Sequence, residues 1–338
     1  LAADVVKELF AADDRVEVGY RSNVRQALST RNVPLGEESS KSVMIRENEP
    51  VLITGGARGI TAEMALDLAR RCRPALLIVG SSPAPPERED PATTGLETAV
   101  ELKQAILETL RARQGRVEPA EVERAYHALC REREIRENLR RLRETGAVVR
   151  YASVDVCDGE ALGRVLDAWK QEFGSPVGLI HAAGVIQDKL LRDKTLVSFE
   201  RVFSTKLQGA LNLAHLIDPK KLRFTAFFSS VAGRFGNRGQ CDYAAANEAL
   251  NKLALWLDTR WPGRVVSIIW GPWSGVGMVS DLERHLGSRG MTMIAPEEGR
   301  TRLLDEILKG RKGEVEVVIA GEIGSLDHSF RSSGEVRS

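Results

Sequence analysis

The sequence predicts an α/β protein built on a doubly wound parallel sheet of about seven strands. Short apolar runs alternate along the chain with amphipathic helical segments, an order typical of parallel strands joined by crossover helices. The first run, at 51–53, is followed at once by the turn TGGARGI and a helical stretch. A strand, a glycine-rich turn and a helix in that order are typical of Rossmann-type sheets. We therefore expect the functional site at the carboxyl ends of the strands.

Seven apolar runs make up the predicted sheet. They lie at 51–53, 75–80, 148–156, 177–184, 222–230, 265–271 and 315–321. The clearest helical segments between them lie at 158–172, 198–216 and 243–260. From this order we place a catalytic domain at 50–325, followed by a C-terminal tail at 326–338.

Two regions do not follow this alternation. Residues 1–49 contain a possible helix and a hairpin-like segment followed by a polar linker, and we interpret them as the remnant of a preceding structural unit. Residues 81–146 interrupt the crossover after the second strand and contain two helical patterns. Their dense alternation of arginine and glutamate predicts solvated helical faces with local ion pairs rather than a surface for a charged partner.

The composition argues against nucleic-acid and membrane partners. The chain has 338 residues, 43% hydrophobic and 28% charged, with a formal net charge of +1, which is typical of a soluble globular protein. Four scattered cysteines show no metal-ligand spacing, so we expect no metal site, no disulfide framework and a cytoplasmic location. No apolar run reaches the roughly 20 residues of a membrane span. The first residues do not resemble a signal peptide and lack an initiator methionine, so we expect a segment excised from a longer protein.

The turn after the first strand predicts a dinucleotide phosphate site. Glycines let the backbone approach a pyrophosphate, and the next helix supplies amide donors and a partial positive charge. The second strand ends in Gly80-Ser81-Ser82, where NAD sites usually carry a carboxylate. With Arg58 in the turn this favours NADPH over NADH, and an ordinary surface arginine is the alternative. The predicted contacts at this end are Thr54, Gly55, Gly56, Arg58, Gly59, Ile60, Ser81 and Ser82.

The third and fourth strands supply further predicted contacts. Asp155 can accept a hydrogen bond from the adenine amino group or cap the next helix, and both alternatives stay open. Small residues after the fourth strand leave room for the adenine ribose, whereas His181 is interpreted as a packed residue at the strand end. The contacts predicted here are Asp155, Val156, Ala182, Ala183 and Gly184.

Residues 229–247, SSVAGRFGNRGQCDYAAAN, combine two serines with Tyr243 at a predicted helix start. A phenol there suits a proton donor, but its ordinary pKa of about 10 makes it a poor acid near neutrality without a neighbouring cation. The residue four positions on shares its helix face, and that residue is Asn247 rather than a lysine. The cation must come from elsewhere in the chain.

Six motifs, TGGARGI, DV, HAAGV, FSSVAG, YAAAN and WGPW, occur in the order and spacing of one family. From residue 51 to about 321 the chain resembles the ketoreductase domain of type I polyketide and fatty-acid synthases, in the short-chain dehydrogenase/reductase superfamily. The resemblance implies NADPH-dependent reduction of a 3-oxoacyl thioester. It also implies two kinds of partner: an acyl carrier protein that carries the substrate, and neighbouring domains of a parent synthase.

The resemblance implies a catalytic tetrad of Lys206, Ser230, Tyr243 and Asn247. In these domains the lysine comes from an earlier helix, and FSTKLQGALNL around Lys206 matches the family motif. The lysine is expected to hold the cofactor ribose and to lower the pKa of Tyr243, the proton donor. Ser230, thirteen residues before the tyrosine, is expected to bond the same substrate oxygen in preference to Ser229. Asn247 is expected to orient Lys206 and a water.

The resemblance also concerns the nicotinamide and the substrate. It implies that Gly271 and Pro272 contact the nicotinamide. It also implies that four residues contact the substrate or control its orientation: Asp188, Phe235, Trp273 and Met278. Residues 277–291 correspond to a lid over the substrate groove, and a plain core position is the alternative for Trp273. Asp188, four residues after HAAG, and Phe235 in place of a tryptophan favour a D-3-hydroxyacyl product.

Some features depart from the family pattern. Thr61 replaces the last glycine of the usual turn, and Ser81 stands where many ketoreductases carry an arginine. Lys194 is a weaker candidate for the lysine, because it lies outside the matching motif. The insertion at 81–146 is similar to that of polyunsaturated-fatty-acid and related iterative synthases. A noncatalytic nucleotide-binding domain of such a synthase, or a free-standing alcohol dehydrogenase of the superfamily, are the alternative functions.

Overall fold

The computed structural model describes residues 2–11, 13, 17–27, 29–31, 43–275 and 292–321. Near the N-terminus, helix α1 (Ala2–Leu9) precedes an antiparallel hairpin of β1 (Val18–Arg21) and β2 (Val24–Ala27). The two residues at the hairpin tip have positive φ, as tight two-residue hairpin turns require. The helix and hairpin predicted within 1–49 are present, whereas the tail at 326–338 lies outside the described residues.

Seven parallel strands form the main sheet. They are β3 (Pro50–Thr54), β4 (Ala75–Gly80), β5 (Val148–Ser153), β6 (Gly178–His181), β7 (Phe224–Ser230), β8 (Arg264–Trp270) and β9 (Glu316–Ile319). Their order across the sheet is β5–β4–β3–β6–β7–β8–β9, so it reverses between β3 and β6 and opens a crevice at the carboxyl ends there. The predicted doubly wound sheet is confirmed. β5 and β6 are shorter than the apolar runs at 148–156 and 177–184, because the chain turns away at their ends into loops that border the crevice.

Helices cover both faces of the sheet. They are α2 (Gly59–Cys72), α3 (Ala99–Gln114), α4 (Pro119–Glu144), α5 (Gly159–Phe173), α6 (Leu196–Leu216), α7 (Val231–Phe235), α8 (Cys241–Asp258) and α9 (Pro296–Lys309). Alternate strand residues point to opposite faces, so Val51 and Ile53 belong to one apolar layer and Leu52 to the other. Helices α2, α4 and α9 cover the first layer, and α5, α6 and α8 cover the second.

The insertion after β4 forms the two predicted helices, α3 and α4, but α4 is not wholly solvated. Ile135, Leu139 and Leu142 on its inner side are at most 3% exposed and join the core beside α2. Its outer side carries local ion pairs, such as Arg140 with Glu137. The solvated, ion-paired face predicted for the insertion is therefore the outer side of α4, and the apolar positions on its inner side join the core.

No helix within the described residues is long and apolar enough to cross a membrane. All four cysteines are free thiols. The described ranges contain no group of His, Cys, Asp and Glu side chains that could hold a metal ion.

Candidate active site

The four side chains of the predicted tetrad come together at the carboxyl end of β7. Lys206 lies in the middle of α6, Ser230 ends β7, and Tyr243 and Asn247 lie in the first turns of α8. Lys206 Nζ is 5.8 Å from the centroid of the Tyr243 ring. The side chains of Ser230 and Asn247 lie close enough to the Tyr243 phenol to lower its pKa. Three separate elements therefore meet around one phenol.

Lys206 is a buried cation. The residue is 3% exposed, and its Nζ donates to the Phe228 backbone oxygen at 2.7 Å. Burial lowers the pKa of Lys206 to about 8, so the ammonium form still predominates at pH 7. Gly184 makes room for this side chain, because a Cβ at that position would lie 3.1 Å from Lys206 Cε. The small residue predicted to leave space for a ribose thus also leaves space for the lysine.

The pKa of Tyr243 is raised, chiefly because burial disfavours the phenolate. The neighbouring polar side chains of Ser230 and Asn247 oppose the rise, and the Asp188 carboxylate adds to it. The pKa is thus raised where the sequence led us to expect a lowered one, and the Lys206 ammonium donates to the Phe228 backbone oxygen. The phenol consequently keeps its proton at neutral pH, which a proton donor requires.

The two serines that end β7 have different surroundings. Ser230 Oγ accepts from the Ala232 amide at 3.2 Å and so caps α7 beside the phenol. Ser229 is buried, and its Oγ donates to the Asn247 backbone oxygen at 3.2 Å. The geometry favours Ser230 for contact with a substrate and leaves Ser229 a structural position.

Asn247 is fully buried and holds the first turn of α8. Its Nδ2 donates to the Tyr243 backbone oxygen at 2.8 Å. Its Oδ1 has no hydrogen-bond partner within the described residues, although buried acceptors are usually paired. Lys206 Nζ bonds to Phe228 and not to Asn247, so direct orientation of the lysine by Asn247 is wrong for this arrangement. The unpaired oxygen leaves one acceptor at the site.

A buried ion pair lies beside Tyr243, and sequence reasoning does not find it. Lys194 Nζ and Asp242 Oδ2 are 2.7 Å apart, with side chains 3% and 0% exposed. Asp242 Oδ1 also accepts from the Tyr243 amide at 2.9 Å, and Lys194 donates to the Gln187 backbone oxygen. The pair therefore joins the segment after β6 to the start of α8. The sequence offers Lys194 only as a substitute for Lys206, because its partner lies 48 residues away.

The segment after β6 makes further contacts with the turn before α8. Gln240 Nε2 donates to Asp188 Oδ2 at 2.8 Å, and the Lys189 amide donates to the Gly239 oxygen at 3.0 Å. Phe235 packs against Val231 and Ile269 in a small apolar cluster. Asp188 thus lies near Tyr243, whereas Phe235, at the end of α7, packs in this apolar cluster.

The glycine turn has the close packing that a dinucleotide site needs. Gly55 has a φ of +73°, and a Cβ there would lie 3.0 Å from Ala183 backbone atoms. Thr54 Oγ1 donates to His181 Nδ1 at 2.7 Å and accepts from the Ala183 amide at 3.3 Å. The amides of Ile60 and Thr61, at the start of α2, donate to no acceptor among the described residues. The absence of a Cβ at Gly55 and the unpaired amides at the start of α2 fit the pyrophosphate of a nicotinamide dinucleotide.

His181 is a fully buried link in this region and not an exposed catalyst. Its Nε2 donates to the Lys206 backbone oxygen at 2.9 Å, so its Nδ1 is the acceptor for Thr54. Burial, with the charge of Lys206, lowers the pKa of His181 to about 3. The neutral ring thus connects the glycine turn to the helix that carries the lysine.

The expected ribose end combines predicted and unpredicted residues. Tyr151 of β5 donates from its hydroxyl to the Ser82 backbone oxygen at 2.7 Å and packs over Gly80. Arg58 Nε donates to Glu134 of α4 at 2.7 Å. Sequence reasoning finds neither Tyr151 nor Glu134, because both come from elements far away in the sequence.

Asp155 does not cap the next helix. Its Oδ1 accepts from the Cys157 amide at 2.9 Å within its own turn. Asp158 is the cap of α5, accepting from the Ala161 amide at 2.9 Å. The helix-cap alternative for Asp155 is therefore wrong, and the adenine contact stays a prediction. Neighbouring Val156 is 4% exposed, and its backbone oxygen accepts from Asn212 at 2.9 Å.

The segment after β8 contradicts one predicted substrate contact. Trp273 is 0% exposed and packs against Trp270 and over Gly299 of α9. It is a core residue, so its assignment to the substrate groove is wrong. Gly271 packs against Ala320, and a Cβ there would lie 2.8 Å from the alanine Cβ. Met278 and the predicted lid at 277–291 lie outside the described residues.

A model of the KR domain family matches residues 50–275. The chain is 30% identical over 316 residues to a polyunsaturated fatty acid synthase polypeptide of Thraustochytrium sp., covering 91% of this chain and 11% of that protein. It is 28% identical over 302 residues to a 6-methylsalicylic acid synthase of Aspergillus terreus, covering 88% of this chain and 15% of that protein. The chain thus spans only a small part of the length of the curated relatives it matches.

Solved structures show the same fold. The first ketoreductase of the tylosin polyketide synthase has a TM-score of 0.69 and 24% identity, covering 98% of this chain and 64% of that one. The ketoreductase from the first module of phoslactomycin biosynthesis in Streptomyces sp. HK803 has a TM-score of 0.67 and 25% identity, covering 91% and 60%. Because the family model matches more than half of the sequence, this chain belongs to the ketoreductase (KR) domain family of polyketide and polyunsaturated-fatty-acid synthases, in the short-chain dehydrogenase/reductase fold.

Proposed function

We propose that this chain uses NADPH to reduce a 3-oxoacyl thioester, carried by an acyl carrier protein, to the 3-hydroxyacyl thioester within a multidomain synthase. One observation carries the proposal: Lys206, Ser230 and Asn247 converge on Tyr243 beside the glycine turn. A buried tyrosine with polar neighbours would account for the phenol alone. It would not account for a lysine that arrives from α6 at the same point.

In this proposal the tetrad handles the proton. Bound NADPH supplies the hydride. Tyr243 Oη gives its proton to the ketone oxygen as negative charge develops there, and Ser230 Oγ donates a hydrogen bond to the same oxygen. Burial keeps the phenol protonated beforehand. Lys206, with its pKa of about 8, remains charged at pH 7 and favours the phenolate that forms.

The cofactor is proposed to be NADPH because of charges at the ribose end. Ser81 and Ser82 present no carboxylate to a 2′-phosphate, and Arg58 lies in the adjacent turn. A guanidinium can bind a phosphate through charge-assisted hydrogen bonds. The amides of Ile60 and Thr61 are placed to hold the pyrophosphate.

The product is proposed to be the D-3-hydroxyacyl thioester. Asp188 lies close enough to Tyr243 to raise its pKa and is held in place by Gln240. Phe235 stands where the opposite class carries a tryptophan, and it packs against the cluster of Val231 and Ile269. The choice between ketone faces depends on groove contacts worth about 1–3 kcal/mol.

The test is NADPH oxidation with a 3-oxoacyl thioester, first as a small thioester and then on an acyl carrier protein. We expect Tyr243→Phe to slow reduction by about 10²- to 10⁴-fold, because only the proton donor is lost, while the Kd for NADPH stays nearly unchanged. Tyr126→Phe removes the same hydroxyl from the insertion and should keep full activity. Chiral chromatography of the product should show the D isomer.

Three outcomes would contradict parts of the proposal. Near-normal turnover of Tyr243→Phe would show that the tyrosine is not the acid. NADPH binding without reduction of any thioester by the unmodified protein would support a noncatalytic domain. A predominantly L product would overturn the stereochemical assignment alone.

A further inference from the structure

Helix α4 of the insertion contacts the glycine turn directly. Asn138 Nδ2 donates to the Ala57 backbone oxygen at 3.1 Å. Glu134, one helical turn earlier, accepts from the Gly59 amide at 2.9 Å through Oε1 and from Arg58 Nε at 2.7 Å through Oε2. A single carboxylate therefore joins the backbone of the turn to the arginine side chain.

Glu134 supplies what the start of α2 lacks. Arg58 occupies the N-cap position, makes no side-chain cap bond, and the first turn of α2 contains no acidic residue. A carboxylate at a helix start accepts unpaired amides and interacts favourably with the helix dipole. Here that carboxylate comes from 75 residues away. It takes only the Gly59 amide and leaves those of Ile60 and Thr61 for another anion.

The contact also orients Arg58. Its Nε is bound by Glu134, whereas its Nη1 and Nη2 donate to no acceptor among the described residues. Its charge acts on the hydroxyl of Tyr151, which itself bonds to Ser82 at the end of β4. The unused donors of Arg58 therefore lie near the segment where we place the ribose.

We propose that Glu134 is a positioning residue for cofactor selection: it holds Arg58 so that the two free Nη groups bind the 2′-phosphate of NADPH. This inference rests on the proposed function, because it needs NADPH as the cofactor. It also gives the insertion a role, since α4 becomes part of the wall of the cofactor site.

The same carboxylate also brings a negative charge near the phosphate, which opposes binding. The side chains of Arg58 and Glu134 are 43% and 37% exposed, so water and salt screen that repulsion strongly. The hydrogen bonds that fix the guanidinium are short-range and are not weakened in the same way. Positioning therefore outweighs repulsion, and loss of Glu134 weakens NADPH binding.

The test measures Kd values for NADPH and NADH by fluorescence titration of the whole chain, with the melting temperature of the cofactor-free protein as a second readout. Glu134→Ala should raise the Kd for NADPH about 3- to 10-fold and leave that for NADH within about twofold. Glu134→Gln keeps one acceptor and should fall between. Glu123→Ala removes the same charge from the same helix, where it pairs with Lys103 of α3, and should change neither Kd.

A double-variant cycle separates positioning from a purely structural cap. If Glu134 acts through Arg58, Glu134→Ala added to Arg58→Ala should weaken NADPH binding no further. Tighter NADPH binding by Glu134→Ala would overturn the inference in favour of repulsion. Unchanged Kd values, or equal losses for both cofactors, would overturn it in favour of a structural cap.

The unmodified protein distinguishes this inference from the proposed function. If it shows no preference for NADPH over NADH, the proposed cofactor and the role of Glu134 both fail. If the preference is present and Glu134→Ala leaves the ratio of the two Kd values unchanged, only the role of Glu134 fails.

Discussion

The Lys194–Asp242 pair beside Tyr243 and the Arg58–Glu134 pair at the glycine turn each join a cation to a carboxylate at 2.7 Å. Their side chains are 3% and 0% exposed in the first pair and 43% and 37% exposed in the second. A buried charge that loses its partner is strongly destabilising, whereas an exposed pair contributes little to stability. The first pair can therefore hold the start of α8 in one place, whereas the second adds little to stability and serves to orient Arg58.

The residues around each pair differ in the same way, being buried near Tyr243 and open to a ligand near the glycine turn. Lys206, His181 and Asn247 at the catalytic end are all buried and joined by hydrogen bonds to backbone groups. At the cofactor turn, helix-start amides and guanidinium donors are left without protein acceptors in the described part of the chain. Buried side chains joined by hydrogen bonds thus surround Tyr243, and donors without protein acceptors lie at the glycine turn.

The largest effect on stability should follow from removing one partner of the buried Lys194–Asp242 pair. Lys194→Met leaves Asp242 buried with an uncompensated charge and should lower the free energy of unfolding by about 3–5 kcal/mol. Because Asp242 also bonds to the Tyr243 amide, the rate of reduction should fall as well. Urea unfolding with Lys194→Met/Asp242→Asn as the matched variant is the measurement. If the double variant, which removes both charges, is no more stable than the single one, the pair is not acting through its buried charge.

His181 should have an intermediate effect, which is a loss of folding stability as the pH falls. Its pKa is about 3 in the folded chain and about 6.5 when unfolded. Between these values the unfolded chain binds a proton that the folded chain does not, so stability is full above pH 6.5 and is lost below it. Lowering the pH from 6.5 to 5 should cost about 2 kcal/mol through this residue. Urea unfolding at several pH values should show a shallower dependence for His181→Gln, and identical dependences would contradict the assignment.

The smallest effect on stability should come from the exposed pair. Arg58→Ala should change the free energy of unfolding by less than about 1 kcal/mol. It should nevertheless raise the Kd for NADPH by about tenfold, because a charge-assisted phosphate contact is lost, and leave NADH binding nearly unchanged. Unfolding and cofactor titrations on the same preparation test both expectations. Equal losses for both cofactors would show that Arg58 supports the turn rather than the phosphate.

The sequence by itself determined the sheet, the glycine turn and the four residues that we propose as the tetrad. The strands and helices are visible because apolar periodicity and turn residues are local properties of the chain. Tyr243 and Asn247 share a helix face by spacing alone, and Lys206 is recognisable from the motif around it. These features need no knowledge of which distant segments meet.

Only the tertiary structure decided which charges pair and which groups are buried. The partners of Lys194 and of the Gly59 amide lie 48 and 75 residues away, and no local pattern encodes such contacts. The same holds for Trp273, which the family resemblance assigned to the substrate groove and which packs in the core against Gly299 of α9. The pKa of Tyr243 rises because burial outweighs the effect of the polar side chains beside it. Desolvation depends on every neighbouring element at once, so it follows from the assembled fold and not from the order of the residues.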